Sequence, residues 1–166
     1  TITFNFIPKM PILTTTTVTG ITDSTAISGG NVADDQGFAV TARGVCWSTS
    51  ANPVVTGSHT TDGSGKGAFT SNITGLLDGT LYYVRAYATS NAGTGYGNQV
   101  SFSTLGKPTL TTTTVTGKTD STAISGGNIT SDGGYTITAR GVCWDTSSNP
   151  DISRNRIFPG SFRPYY

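Results

Sequence analysis

The sequence predicts an all-β protein built from small β-sandwiches, on the evidence of its composition and of a tandem repeat. Thr is abundant, all nine acidic residues are Asp, and charged residues make up only 11% of the 166 residues. The lack of Glu removes a strong helix former, whereas Thr, Val, Ile, Tyr and Phe suit strands. The opening half of the repeat recurs at a constant offset of 97 residues, so that Pro11 returns as Pro108. A period of this size indicates one small domain written in tandem.

The repeat divides the chain into three parts. Residues 1–10 form an extended leader, residues 11–105 a complete sandwich and residues 106–166 a partial second sandwich with a divergent tail. After Pro150 the two copies no longer match, and no counterpart of residues 76–88 follows in the second copy. We therefore expect tandem sandwiches of which the second lacks strands that close the first.

Seven strands separated by turn residues are predicted in the complete sandwich. They span residues 12–18, 25–32, 38–47, 54–60, 68–74, 81–89 and 99–104. The intervening segments, among them residues 34–37, 62–65 and 91–95, carry Gly and Asx residues that tolerate the positive φ of tight turns. This spacing of short strands is typical of a two-layer β-sandwich.

The leader carries the pattern of one further strand. Ile2, Phe4 and Phe6 alternate with polar residues, which is the pattern of a strand with one buried face. The leader precedes the repeat, so we expect it to act as a donor strand that completes the unfinished sandwich of another copy. A frameshift, a truncated reading frame or a fragment boundary remains an alternative explanation for the unmatched tail, residues 151–166.

One motif precedes the sixth predicted strand. Leu76-Leu-Asp-Gly-Thr-Leu-Tyr82, with the alternating residues 83–88 that follow, resembles the Leu-x-Pro-Gly-Thr-x-Tyr-x-Val-x-Ala signature of fibronectin type III domains, with Asp78 in place of Pro. The resemblance implies an Ig-like fold that Leu76, Gly79 and Tyr82 lock, the tyrosine forming a corner. The unit as a whole is similar to Thr/Gly-rich fibronectin type III-like repeats of Bacteroidota-type bacterial surface proteins. That likeness implies an extracellular or cell-surface location.

Alternation around the corner tyrosine predicts which side chains face outward. Tyr82 and Val84 would point into the core, while the intervening residues of the same strand would point to solvent. The charge of Arg43 favours an outward orientation for alternate residues of the neighbouring strand. These assignments place the following residues on one candidate binding face: Arg43, Trp47, Tyr83, Arg85 and Tyr87. Aromatic rings there could stack on sugars, which makes a carbohydrate- or surface-binding accessory module an alternative function.

Catalysis, metal binding and nucleic-acid binding find little support in the sequence. His59 is the only histidine, and Cys46 and Cys143 are one repeat position seen twice, so neither a triad nor a four-ligand zinc site can be assembled. We expect no enzyme activity and no cofactor. A net charge of +1 provides no basic patch for nucleic acid, and the apolar runs are too short for a transmembrane segment.

Two further expectations complete the interpretation. Asp23-Ser24-Thr25 and Asp120-Ser121-Thr122 resemble the motif that the same bacterial group O-glycosylates, so Ser24 and Ser121 are candidate sugar sites. The leading hypothesis is a non-catalytic extracellular structural or adhesive protein, a surface or filament subunit that assembles with itself by β-strand exchange. Glycan partners and a passive spacer role in a larger surface protein stay open.

Overall fold

The computed structural model describes residues 9–157. The predicted donor residues Ile2, Phe4 and Phe6 lie outside the described residues. The chain divides into a first unit that ends at Leu105 and a second unit that begins at Gly106. All regular secondary structure in residues 9–157 is β-strand, and no helix in that range is long and apolar enough to cross a membrane.

Residues 9–105 form eight strands. Their bounds are β1 Ile12–Thr15, β2 Ala26–Asp34, β3 Ala42–Ser48, β4 Ser58–His59, β5 Gly67–Ile73, β6 Leu81–Ser90, β7 Gly93–Tyr96 and β8 Val100–Ser103. One sheet has the order β1-β2-β5, and the other has the order β4-β3-β6-β7 with β8 also paired to β6. Every pairing is antiparallel. The predicted all-β sandwich fold is confirmed.

The core of the first unit lies between these two sheets. Its larger cluster joins Ala26 of β2 and Val45 of β3 to residues of β5 and β6, including Ile73 and Val84. A second cluster surrounds Val32 near the start of β1. Both clusters draw side chains from the first three strands and from the later strands. The unit is therefore closed by contacts between the two halves of its own sequence.

The last strand of the first unit differs from the prediction. Residues 91–95 were expected to form a turn before a single final strand, but only Asn91 and Ala92 turn. The chain then returns at once as β7, which pairs with the end of β6, and resumes as β8 beside the beginning of β6. Gly93 adopts a φ of +123° at this reversal, a conformation that favours glycine.

Residues 106–157 form four strands. They are β9 Thr109–Thr112, β10 Gly127–Ser131, β11 Val142–Trp144 and β12 Asn155–Ile157. β9 pairs with β10 and β11 pairs with β12, both antiparallel. These pairs repeat β1–β2 and β3–β4 in register: Leu13 faces Val32 in the first unit, and Leu110 faces Ile129 in the second.

The structural repeat extends beyond the sequence repeat. Sequence similarity ends near Pro150, yet Cys143 faces Arg156 and Trp144 faces Asn155, as Cys46 faces His59 and Trp47 faces Ser58. β12 is therefore the counterpart of β4, a strand that the sequence did not predict for the second copy. Within residues 106–157, β10 has no neighbour equivalent to β5 and β11 has none equivalent to β6.

Candidate functional site

The second unit has almost no core of its own. No residue from 107 to 157 is buried, whereas the matching positions of the first unit form its interior. Leu13 is 7% exposed and its counterpart Leu110 is 60% exposed. The large apolar side chains exposed in residues 107–157 are Leu110, Val115, Ile124, Tyr135, Trp144, Ile152 and Ile157; Ile124 differs from the others, because its counterpart Ile27 is already 40% exposed in the first unit. An apolar face of this kind marks an interaction surface or an aggregation liability.

This exposure does not come from a different local fold. The backbone N–H of Thr22 donates to the carbonyl of Thr25 at 2.9 Å, and in the second unit the N–H of Thr119 donates to the carbonyl of Thr122 at 2.8 Å. The thiol of Cys46 donates to the carbonyl of Pro53 at 3.4 Å, and Cys143 donates to Pro150 at the same distance. The second unit thus repeats the first locally but lacks the strands that would cover it.

Two open sheet edges accompany the uncovered face. In the first unit β2 pairs with β5 over seven residues, and β3 pairs with β6 over seven residues. The corresponding edges of β10 and β11 have no such partner within residues 106–157. Unpaired strand edges are templates for pairing with another chain. The open face and these two edges together form the candidate site, which we call the acceptor half (residues 108–157).

The predicted aromatic and arginine face is not a single surface. Val45 and Val84 belong to the core cluster, and Trp47 packs against it. Because Trp47 faces Val84 across the β3–β6 pair, Trp47 points toward the opposite sheet, as does Arg43 four positions earlier along β3. Tyr83, Arg85 and Tyr87 lie on the other face of the sheet. The predicted outward orientation of β3 is therefore wrong, whereas the predicted inward residues of β6 are buried.

Arg43 can occupy an inner position because it lies at the end of the sandwich. Its guanidinium sits 5.3 Å from the centre of the Phe69 ring and donates to the carbonyls of Gly65, Lys66 and Gly67 at 2.8–3.3 Å. The carbonyls and the ring face compensate the charge. Sequence alternation alone could not reveal these backbone partners.

Tyr87 points outward but is covered. It is 2% exposed, and its hydroxyl donates to the carbonyl of Thr60 at 2.7 Å. His59 packs edge-on against its ring with centroids 5.9 Å apart. Gly44 makes this cover possible, because a Cβ at that position would collide with the Thr60 carbonyl. A platform for sugar stacking at Tyr87 is therefore closed by its own loop.

Arg85 and Trp47 border different surfaces. The Arg85 guanidinium lies 4.5 Å from the centre of the Tyr96 ring, and its Nε donates to the Gly97 carbonyl at 3.2 Å. Trp47 borders an open cleft of about 510 Å³ that includes residues 48–54 and Tyr82. Tyr83 is half-buried. The five predicted residues thus do not share one surface.

The residues expected to lock the fold lie close together. Leu76 is buried, and Gly79 adopts a φ of +57° while its N–H donates to the Leu105 carbonyl at 3.0 Å. The Tyr82 hydroxyl accepts the N–H of Leu77 at 3.1 Å. Tyr82 also stacks on Phe102 with ring centroids 5.9 Å apart. These contacts fix the turn that leads into β6.

The candidate glycosylation sites occupy equivalent exposed turns. The hydroxyl of Ser24 donates to the Asp23 carboxylate at 2.9 Å, and that of Ser121 donates to Asp120 at 3.4 Å. Both serines are exposed. An intact mass equal to that of the polypeptide would exclude sugar at either position, so modification stays a prediction.

Chemistry-bearing side chains are dispersed in the described part of the chain. No group of three or more His, Cys, Asp or Glu residues that could hold a metal occurs in residues 9–157. His59 is exposed and pairs with the Gly57 carbonyl at 2.9 Å. Burial raises the pKa of the Cys46 thiol to about 11, an effect that the charge of Arg85 opposes. A thiol with so high a pKa is a poor nucleophile at neutral pH.

Comparison with solved structures finds chains that resemble part of this one. No protein-family model and no curated protein matches the sequence. The sensor domain of the anti-sigma factor RsgI4 from Pseudobacteroides cellulosolvens is similar at 16% identity and a TM-score of 0.44. The match covers 58% of this chain and 76% of that domain.

Proposed function

We propose that this protein is a non-catalytic structural subunit of an extracellular polymer, in which β-strands from one copy complete the acceptor half of the next. The observation that carries the proposal is the contrast between matched positions, such as Leu13 at 7% and Leu110 at 60% exposure. Burying one such side chain stabilises a protein by about 1.5–3 kcal/mol. Covering the acceptor half therefore supplies a driving force for association.

The leader is the proposed donor, and β10 is the proposed acceptor edge. β5 has seven residues, of which Phe69, Ser71 and Ile73 are the more buried and alternate along the strand. Residues 1–7 match it in length, and Ile2, Phe4 and Phe6 match its alternation. Phe69 faces Gly30 in the first unit, and the counterpart Gly127 leaves the same space for an aromatic ring.

The chemistry of the two surfaces predicts an open assembly. The donor and the acceptor are different parts of the chain, so the contact between copies is heterologous. A heterologous contact that does not close into a ring propagates as a fibre. Main-chain hydrogen bonds would give the joint its affinity, and the alternating apolar residues would give it its register.

The finer family assignment and the location belong to the same proposal. The strand order β1-β2-β5 and β4-β3-β6-β7, together with the corner made by Tyr82 and Leu77, supports a fibronectin type III-like repeat. Such repeats in Bacteroidota-type surface proteins are the resemblance from which an extracellular location follows. A low charge content of 11% and an abundance of Thr are consistent with that setting.

The test compares polymer formation in donor variants of the full chain. Phe4→Asp and Phe6→Asp place a charge on the apolar face of the leader, whereas Asn5→Asp places the same charge on its other face. We expect filaments by negative-stain electron microscopy for the unmodified chain and for Asn5→Asp, and monomers by size-exclusion chromatography for the other two.

The thiols supply an independent readout. Cys46 is buried and Cys143 is only half-buried, so a thiol reagent should modify Cys143 first in monomers. Because the leader pairs with β10 whereas Cys143 lies on β11, slower reaction of Cys143 in polymers would report that the β11 edge is covered as well. If the Phe4→Asp variant still forms the same polymers, the leader is not the donor strand. If the chain stays monomeric at all concentrations, with Cys143 reactive throughout, the proposal that it forms a polymer is wrong.

A further inference from the structure

The first unit shows what an acceptor half is built to receive. Its first half, residues 11–56, is closed by the segment from β5 to β8, which we call the closing segment (Gly67–Ser103). That segment pairs with β2 and with β3 over seven residues each. It also contributes Ile73, Tyr82, Val84 and Phe102 to the larger core cluster.

The residues that hold the closing segment recur in the acceptor half. Core residues Leu13, Ala26, Val45 and Trp47 return unchanged 97 positions later, and Val32 and Val40 return as the slightly larger Ile129 and Ile137. Polar contacts also recur: the Thr15 hydroxyl accepts the N–H of Ala86 at 2.9 Å, and Thr112 is its counterpart. The register of β9–β10 matches that of β1–β2. The acceptor half therefore presents almost the same binding surface as residues 11–56.

We propose that the acceptor half is a second binding site for the closing segment, which it takes from a second copy of this chain. Each chain then carries two acceptors and one closing segment, so one half per chain lacks a closing segment and stays available to the leader of another copy. The inference rests on the proposed function in one respect, namely that the open half is completed by another copy. It deepens that function because the two halves of each chain compete for one closing segment, and this competition decides which half is open.

The reach of the chain requires the closing segment to come from another copy. In the first unit Gly95 of β7 lies against Pro11. Gly95 pairs with Ala88 and Ser103 pairs with Leu81, so their partners lie seven residues apart along β6. Seven residues of strand span about 23 Å. If the closing segment bound the acceptor half of its own chain, Pro108 would have to lie where Pro11 lies in the first unit. The five residues from Ser103 to Pro108 would then have to bridge this distance, but they reach at most about 18 Å.

The same connectivity explains why the first half normally keeps the closing segment. Residues 60–66 link β4 directly to β5, and the Asp62 carboxylate accepts the hydroxyls of Thr60 at 2.6 Å and of Ser71 at 2.5 Å. A tethered partner acts at an effective concentration in the millimolar range. Exchange to the acceptor half of a second copy should therefore be populated when the first half is blocked.

The test blocks one acceptor at a time in the full chain and follows the two thiols by mass spectrometry. Val45→Asp places a charge at a fully buried position of the first half, and Val142→Asp is the matched change in the acceptor half. In Val45→Asp we expect Cys46 to become reactive and Cys143 to become at least about tenfold slower to react, in species of two or more chains. In Val142→Asp, Cys46 stays protected and Cys143 stays reactive.

The double variant Val45→Asp/Val142→Asp gives the reference rates for two blocked acceptors. If both thiols of Val45→Asp react as fast as in this reference, or if both are protected in soluble material, the inference is overturned. Ala26→Asp and Ala123→Asp form a second matched pair that should repeat the pattern. The same exchange in chains lacking residues 1–7 separates this inference from the leader donor: exchange without filaments agrees with both proposals, filaments in these chains overturn the leader as donor, and a lack of exchange overturns only the second binding site.

Discussion

The hydroxyl of Tyr82 accepts a hydrogen bond from the backbone N–H of Leu77, five residues earlier, at 3.1 Å. This bond closes the turn through Gly79 and fixes the point at which β6 enters the sheet. Tyr82 is 7% exposed and stacks on Phe102 of β8, so one side chain joins a turn, a central strand and an edge strand. A substitution at Tyr82 therefore tests how strongly these contacts hold the first unit closed.

Tyr82→Phe should destabilise the first unit. The change keeps the ring and its stacking but removes the acceptor of the Leu77 N–H, and because this bond is only partly buried we expect a loss of about 0.5–1.5 kcal/mol. Urea unfolding followed by tryptophan fluorescence measures the loss. Tyr83→Phe is the matched control, and we expect a change within about 0.5 kcal/mol. Equal losses in the two variants would contradict a corner role for Tyr82.

The sequence predicted the first unit well where local patterns decide the structure. The inward set of β6 followed from alternation around Tyr82, and the turn glycines followed from their need for positive φ. Alternation predicts the wrong face for β3, because the charge of Arg43 favours solvent exposure although its side chain occupies an inner position. In the structure the guanidinium of Arg43 instead donates hydrogen bonds to the three backbone carbonyls of residues 65–67. A backbone partner of this kind leaves no signal in side-chain periodicity.

The candidate site was predicted in part and for a physical reason. Missing counterparts of residues 76–88 are visible in the sequence, so the open second unit could be expected. The covering of Tyr87 by the Thr60 loop could not, because it depends on a long-range contact at Gly44. β12 was also missed, since antiparallel pairing uses backbone groups and tolerates the divergence after Pro150.

Thr15→Val should destabilise the first unit, and Thr112→Val should leave monomers unchanged. The Thr15 hydroxyl accepts the buried N–H of Ala86 at 2.9 Å, and Val removes that acceptor while keeping a similar shape. An unsatisfied buried N–H costs about 1–3 kcal/mol. Urea unfolding of the monomer measures both variants. A comparable loss in Thr112→Val, which occupies the same repeat position without a closing segment, would contradict the assignment.

Gly44→Ala should weaken the cover over Tyr87. A methyl group at Gly44 would collide with the Thr60 carbonyl, which is the acceptor of the Tyr87 hydroxyl. Forcing the loop away costs about 1–3 kcal/mol and should raise the exposure of the Tyr87 ring to quenchers. Gly57→Ala is the control, because its nearest neighbour would lie at an ordinary 3.5 Å. A neutral Gly44→Ala would show that the loop moves freely.

Alkaline pH should destabilise the first unit through Cys46. Burial raises the pKa of this thiol in the folded chain from the ordinary value of 9.0 to about 11. Below pH 9 the thiol is protonated in both states, and its contribution to stability is fully present. Between pH 9 and 11 the unfolded chain loses the proton while the folded chain keeps it for longer, so the free energy of unfolding falls as the pH rises through this range.

Unfolding curves at several pH values check this expectation against two matched variants. Cys46→Ala removes the buried thiol and should show a shallower decline between pH 9 and 11, whereas Cys143→Ala should keep the decline of the unmodified chain. Tyrosine ionisation is common to all three proteins and cancels in the comparison of slopes. Identical slopes for Cys46→Ala and the unmodified chain would mean that the thiol is not desolvated. In that case the contrast between the buried Cys46 and the half-buried Cys143 could not report which half is closed.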